Sequence, residues 1–571
     1  MKKLFPLAAV FTMVIIVFSS CSSKQAEETK LIPKDASMVA VFDPGLMQAK
    51  LEKGNISIDS VFAKIFQSVN DSAHTDLKQK FNDLRTNSGI DWSSKLFFFT
   101  EQKNYPNNGH GSTINIIAHL KDSALFLQYV LKQEDIRGRD VVKDKNFTYI
   151  QLDYKGMISW TDKLVMATIF NYAEMPVKDS LLHTYQVEGI NKTEEIKKEV
   201  TRYYTLKEDE SLASVKPFTD LFKQKSDAYF YNSSSAFISG LNMMPIQLPK
   251  LQDLLADNFS VSTFNFDEGK ITGNSATYTN KALSAILKKY TGSTINMQMI
   301  ETYPSDNIDM AFLTSFNPEM IDAIIKEIDI EALADMFTQK MDVKTGDLYK
   351  CLKGDLAVIV SDFAWKKTGE NSLFKSMPSV KCIINASVGD TAIYHKLMNN
   401  ALQNELVVKQ NNTYTSGKLL KSFGIVLNAD DKNFMLATDS ALYQKYVSKT
   451  GKAGISKEVL DQLKGKSAAG FIDLDKLFGG MIQASDTSAN EFGKTMQHTF
   501  KDIIASSENF DGTKIQAHSE LRMKDEKENS LVTLLKVFMK IAPTLKRSGA
   551  TDDIKTLPFI KNIIAVPMVK I

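Results

Sequence analysis

The sequence predicts an α+β fold, built as two tandem duplicated domains of mostly antiparallel sheet with flanking helices. Three observations predict it. The phrase "FDEGKI" at 266–271 returns as "FDGTKI" at 510–515. Other blocks match between the two halves and keep the same order. Hairpin turns dominate the connections between apolar runs, and hairpins impose antiparallel pairing.

The matching elements run as follows. "MVAVF" leads into Asp43-Pro44, and "MAFLTSF" leads into Asn317-Pro318. Asp or Asn followed by Pro is a helix start, because the side chain accepts an orphan N–H and proline lacks one. Next come paired strands, "KLFFFT" (95–100) with "TINIIAHL" (113–120), and "DLAVIV" (355–360) with "SVKCIINASV" (379–388). Each pair leads into a capped helix, where Asp122 aligns with Asp390. Then "GMISWTDKLVMAT" (156–168) matches "GIVLNADDKNFMLAT" (424–438), a hairpin in both halves. "SDAYFYNSSSAFISG" (226–240) matches "SAAGFIDLDKLFGGM" (467–481), a strand running into a short helix. The opening phrase follows, its turns carrying Asp267-Glu268-Gly269 or Asp511-Gly512, residues suited to tight turns. Each half closes on an amphipathic helix, "LSAILKKY" (283–290) or "LVTLLKVF" (531–538).

These blocks set the expected organisation. Residues 1–20 are a lipoprotein signal peptide and 21–30 a flexible tether. Residues 31–302 are the first repeat, with a charged insertion at about 170–225. Residues 303–548 are the second repeat and 549–571 a C-terminal tail. The insertion holds "NKTEEIKKEVTRYYTLKEDE" (191–210), whose charge density reads as a solvated face.

The leader is the most specific signal. Lys2 and Lys3 precede an apolar run from Leu4 to Phe18, too short to span a bilayer core as a helix. Ser19 and Ser20 then stand before Cys21, the small residues a lipoprotein peptidase requires beside a lipid-modified cysteine, although Phe18 stands where Leu is usual; the alternatives are an ordinary signal peptide or an uncleaved anchor. Acylation of Cys21 with more than one chain gives stable anchoring, since one chain alone is marginal. The expected address is the bacterial cell envelope, anchored by lipid at the outer membrane. Glu27-Glu28 resembles the acidic tags that carry some Bacteroidota lipoproteins to the surface; a solvated linker is the plainer reading.

Composition excludes several classes. Removing the leader takes two lysines and no acids, leaving 67 acidic side chains against an equal number of basic ones. A balanced chain without basic-aromatic clusters has no field to attract nucleic acid. Cys351 and Cys382 remain after Cys21. In an oxidising compartment they could form a disulfide, each lying near a strand of one hairpin region, or they are two buried thiols. Neither stands in a CxxC motif.

Strands followed by x-Pro helices, tandem α+β repeats and a lipoprotein signal together resemble an uncharacterised Bacteroidota envelope lipoprotein family known only as a domain of unknown function. The resemblance covers most of the chain after the leader. Its motifs are structural, and it implies no catalytic residues.

The search for chemistry finds no catalytic constellation, no metal site and no cofactor motif. No GxSxG elbow occurs, and "GKS" at 465–467 lacks the earlier glycine of a phosphate loop, where Leu460 stands. The seven histidines are scattered, without HExxH spacing. Aromatics offer candidate partner contacts: Phe363, Trp365 and Phe374 in an expected loop at 361–379, and Trp160 at a hairpin tip. The same aromatics could instead fold back as a satellite cluster. The expected role is non-catalytic binding or scaffolding of an unknown envelope protein or glycan. The alternatives are a periplasmic or surface hydrolase with a dispersed site, and a carrier of an apolar ligand.

Overall fold

The structure is a computed structural model, and it describes residues 26–57, 60, 74–105, 109–133, 136–152, 154, 156–174, 177–178, 184–185, 190–241, 248–339, 343–367, 376–482 and 487–547. The chain forms two compact units. One holds residues up to Phe42 and Gly89–Tyr231; the other holds Asp43–Ser88 and everything from Asn232 onward. Both combine helices with antiparallel sheet, so the fold is α+β.

Seven strands among the described residues of the first unit pair in succession. They are β1 (Met38–Phe42), β2 (Leu96–Asn104), β3 (Gly109–His119), β4 (Val142–Lys143), β5 (Thr148–Leu152), β6 (Gly156–Trp160) and β7 (Leu164–Glu174). They pair antiparallel in the order β1-β2-β3-β7-β6-β5-β4. Alternation along β2 sends Phe97 and Phe99 into the core, and the ring of Phe99 meets Tyr203 edge-on at 5.2 Å. Two short strands, β8 (Val177–Lys178) and β9 (Thr184–Tyr185), pair with each other, and β10 (Ala228–Ser233) follows.

The second unit holds β11 (Phe259–Asp267), β12 (Lys270–Tyr278), β13 (Ile308–Ser315), β14 (Leu352–Lys367), β15 (Ser376–Val388), β16 (Val407–Gln410), β17 (Thr413–Ser416), β18 (Val426–Ala429), β19 (Asn433–Ala437), β20 (Ala468–Asp473), β21 (Phe500–Ser507) and β22 (Lys514–Met523). Their order is β11-β12-β22-β21-β20-β13-β14-β15-β19-β18-β17-β16, antiparallel throughout. One face of β13, β14, β20 and β21 buries Leu313, Ile359, Phe471 and Ile504 against Tyr446, Val459 and Leu463. Local caps are where the residues place them. Asp43 accepts from the N–H of Leu46, Asp122 from Leu125, and Asp390 from Ala392 and Ile393.

Helix packing in this unit joins distant parts of the chain. The helix Pro44–Lys53 buries Leu51 against Leu531 and Val532 of the helix Ser530–Arg547. The helix Glu319–Glu327 packs with Lys281–Lys289 through Ile324, Leu283 and Ile286.

Four expectations change. The compact units do not divide at residue 302, because β12 pairs along its length with β22 and the β11–β12 hairpin joins the second unit. Residues 27–30 are not part of a tether, since Glu27–Leu31 form a 3₁₀ helix whose Glu28 is only 2% exposed, and residues 21–25 lie outside the described residues. The charged insertion is not a solvated face. Its helix Lys192–Thr205 buries Ile196, Glu199, Val200 and Tyr203, four residues that share one face at helical spacing. The expected loop at 361–379 is largely strand, with Trp365 opposite Pro378 and Lys367 opposite Ser376. A bulge lies between Ser361 and Ala364, where Asp362 has φ 54° and the freed N–H of Phe363 donates to Asp309 at 2.8 Å.

Candidate functional site

The candidate site lies on one face of the second unit's sheet, around the β12–β22 seam. Successive strand residues point to opposite faces. Ser262, Gly273, Ser275, Ser519, Ala517 and Ala505 share one face through the registers Ser262↔Ser275, Gly273↔Ser519 and Ser519↔Ala505. These side chains are too small to fill the space above the strands. They line a groove of about 530 Å³, which also takes in Phe264 and Phe312. Phe312 is 48% exposed. Gly273 is small for a reason: a Cβ there would lie 2.6 Å from Ser519 Oγ and 2.9 Å from the ring of Phe264. Gly470 differs, because a Cβ there meets only the carbonyl of Ala311, at 3.8 Å.

The opposite face of the seam is polar. His518 Nδ1 is 2.8 Å from Asn274 Oδ1, and Lys270 Nζ donates to Glu520 Oε1 at 2.7 Å. Burial pushes the Glu520 carboxyl up, but the hydrogen bond and charge of Lys270 hold it below the usual carboxylate range. Two chemistries therefore sit back to back: a nearly apolar floor of small residues, and a ladder of charge pairs.

A family model described as "Domain of unknown function (DUF4836)" matches residues 28–531. This chain belongs to the DUF4836 family. The DUF4836 match takes in both compact units and every strand named above, the β12–β22 seam included. No curated protein matches the sequence. Among solved structures, crystal forms I, IV and III of TP0453 are similar at 10, 11 and 11% identity. The matches cover 45, 44 and 46% of this chain and 81, 79 and 85% of those chains, each with a TM-score of 0.23. At that score the likeness says nothing about what a DUF4836 protein does.

The residues singled out in the sequence do not gather at the groove. Trp160 is a core residue, 5% exposed, with its ring edge-on to Phe126 at 5.5 Å, so it is not a surface contact. Its position in the inward-facing β6, where all five residues are buried, explains this. Phe363 is partly buried beside the β14 bulge, and Trp365 stands two residues further along β14. Phe374 and Cys21 lie outside the described residues. Cys351 and Cys382 are free thiols, not a disulfide. Cys351 adjoins Leu352, which pairs with Val388; that is six strand residues from Cys382, about 20 Å along β15. Among the described residues no group of three or more His, Cys, Asp or Glu could hold a metal ion.

One cluster escaped sequence reasoning altogether. In the first unit the insertion helix brings Glu199, Arg202 and Tyr203 onto Glu101, Lys103 and Thr113 of β2 and β3. Arg202 Nη2 is 2.5 Å from Glu101 Oε2 and 2.9 Å from Glu199 Oε2, and Lys103 pairs with Glu199. The Tyr203 hydroxyl donates to Glu101 at 2.5 Å and sits 2.9 Å from Thr113 Oγ1. Burial raises the Glu101 carboxyl despite Arg202, whereas Lys103 and Arg202 outweigh burial at Glu199 and lower it. Every charge in this cluster has a partner, and it fastens the insertion helix to the sheet. The only sequence signal was Glu, Arg and Tyr at i, i+3, i+4 on one helix face.

Proposed function

We propose that this DUF4836 chain is a lipid-anchored protein of the Bacteroidota cell envelope, built by tandem duplication, that works by binding a partner at the small-residue groove. The groove is the observation that carries the reading. Its floor is Ala, Gly and Ser from β11, β12, β20, β21 and β22, and Phe264 and the half-exposed Phe312 line it. A flat floor without long side chains lets another backbone approach closely, and half-exposed aromatics supply the anchoring area.

Strand order supports the duplication. The order β1-β2-β3-β7-β6-β5-β4 recurs as β13-β14-β15-β19-β18-β17-β16. Helix pairing supports it too, because each half's opening helix packs on the other half's closing helix: Pro44–Lys53 on Ser530–Arg547, and Glu319–Glu327 on Lys281–Lys289. The groove then lies where the two copies share a sheet. The apolar lining also favours a second reading, a carrier of an apolar ligand, since its volume falls within the usual range of ligand sites.

The test is affinity capture from crosslinked envelopes, comparing the wild type with Gly470→Leu, which fills the groove. Loss of a captured protein in the variant, with unchanged melting, is the expected result. Equal capture by both would move the site elsewhere, and turnover of a peptide or glycan substrate would overturn the binding reading. The anchor has its own assay: labelled fatty acid should enter the wild type and not Cys21→Ala.

A further inference from the structure

The segment after Cys21 is seated in the fold almost at once. The Thr29 hydroxyl donates to the carbonyl of Ala26 at 2.7 Å, and the Glu28 carboxylate lies 2.7 Å from His119 Nε2. The carbonyl of Ile32 accepts from Leu212 N, and Lys34 N donates to the carbonyl of Glu210. Glu28, Thr29 and Ile32 are buried. A solvated tether would not spend a buried carboxylate on a histidine partner.

Only residues 22–26 separate Cys21 from Glu27 in the sequence, and five residues at full extension span at most about 18 Å. The seat adjoins the β6–β7 turn, where Lys163 Nζ is 3.3 Å from Glu27 Oε1. The N–H of Leu120 donates to the carbonyl of Lys163, which places Lys121 and its partner Asp91 beside that turn. From this turn β7 runs from Leu164 to Glu174, so its far end is about 34 Å away along the strand.

We propose that the Glu27–Lys163 corner of the first unit rests against phospholipid headgroups, held there by the clamped N-terminal segment. This rests on the reading that Cys21 is acylated. The membrane is then a close neighbour of the first unit, and that corner is unavailable to a soluble partner.

The experiment uses the acylated full chain on vesicles of phosphatidylethanolamine and phosphatidylglycerol that carry an acceptor dye on some headgroups. A donor fluorophore is placed by an unnatural amino acid at position 163 or at position 173, an exposed site near the far end of β7. Energy transfer should be several-fold stronger from 163 than from 173. A Gly/Ser stretch inserted between Ser23 and Lys24 should erase the difference while attachment persists. Equal transfer from both positions in the attached wild type would overturn the clamp and leave the anchor reading intact. Failure to attach, with no fatty acid incorporated, would overturn both.

Discussion

His518 Nδ1 lies 2.8 Å from the side-chain oxygen of Asn274, and the two residues stand directly opposite each other in the β12–β22 pairing. The step that carries Ile271 of "FDEGKI" to Ile515 of "FDGTKI" also carries Asn274 to His518. In a duplicated chain these would be counterparts, and counterparts that stand opposite each other in an antiparallel pair lie on a local two-fold. An antiparallel pair has that two-fold built in, so two copies of one edge strand can close on each other without new geometry. The groove, on the other face of the same strands, inherits this position.

The two groove glycines should respond in opposite ways. Gly273→Val forces a side chain into Phe264 and Ser519 and should cost about 1–3 kcal/mol. Gly470→Leu points into open space and should stay within about 0.5 kcal/mol of the wild type. Denaturant melts of the two variants check this, and a large loss for Gly470→Leu would mean that the groove floor is already covered.

Within the insertion cluster the two carboxylates should also separate. Glu199, 1% exposed, satisfies Lys103 and Arg202 at once, so Glu199→Gln should destabilise by about 3 kcal/mol at neutral pH. Glu101→Gln relieves a carboxylate that burial disfavours and keeps an acceptor for Tyr203, so it should be near neutral. Equal losses in thermal melts would contradict the opposed shifts of the two groups.

Acid should selectively remove the contribution of Glu520. Its folded-state carboxyl sits below the ordinary value, so the stabilisation is present above the unfolded carboxyl range, near pH 4.3, and is lost as pH falls through the folded value. Lys270→Met should cost about 1 kcal/mol at neutral pH, discounted because Lys270 is partly exposed. The gap between variant and wild type should narrow as pH drops from about 6 to about 3. A gap that stays constant over that range would show that the pair contributes nothing.

Thiol counting settles the cysteines. In a chain beginning at Ser22, both Cys351 and Cys382 should titrate in denaturant without reductant. In the native state both should react slowly, because burial raises each thiol and leaves little thiolate. Cys382, the less buried, should react first. A requirement for reductant before either thiol appears would restore the disulfide.

Local features were legible because their causes are local. Asp43, Asp122 and Asp390 cap helices through N–H groups two or three residues away, a relationship spelled out along the chain. Asp511 shapes its turn in the same way, accepting from Thr513 N and Lys514 N. Trp160 allowed two readings, because a hairpin tip is normally exposed, and the packing of Phe126 against it decides for the folded-back one. Glu28 and the insertion helix were misjudged for a related reason. A charge run reads as solvated unless its partners are visible, and His119, Glu101 and Lys103 lie far away in sequence.

By itself the sequence determined the centres of the strands, the helix starts and the tight turns, since each depends on neighbours within a few residues, but not the strand extensions into 361–367 and 376–379. Only the tertiary structure decided which strand edges meet. A β-edge offers the same N–H and C=O groups whatever its side chains, so alternation in β12 and β22 cannot announce that they pair with each other. That choice depends on which edges remain free once the hairpins have closed. It places Asn274 against His518, and it leaves Gly273, Ala517 and Ser519 together on the floor of a groove.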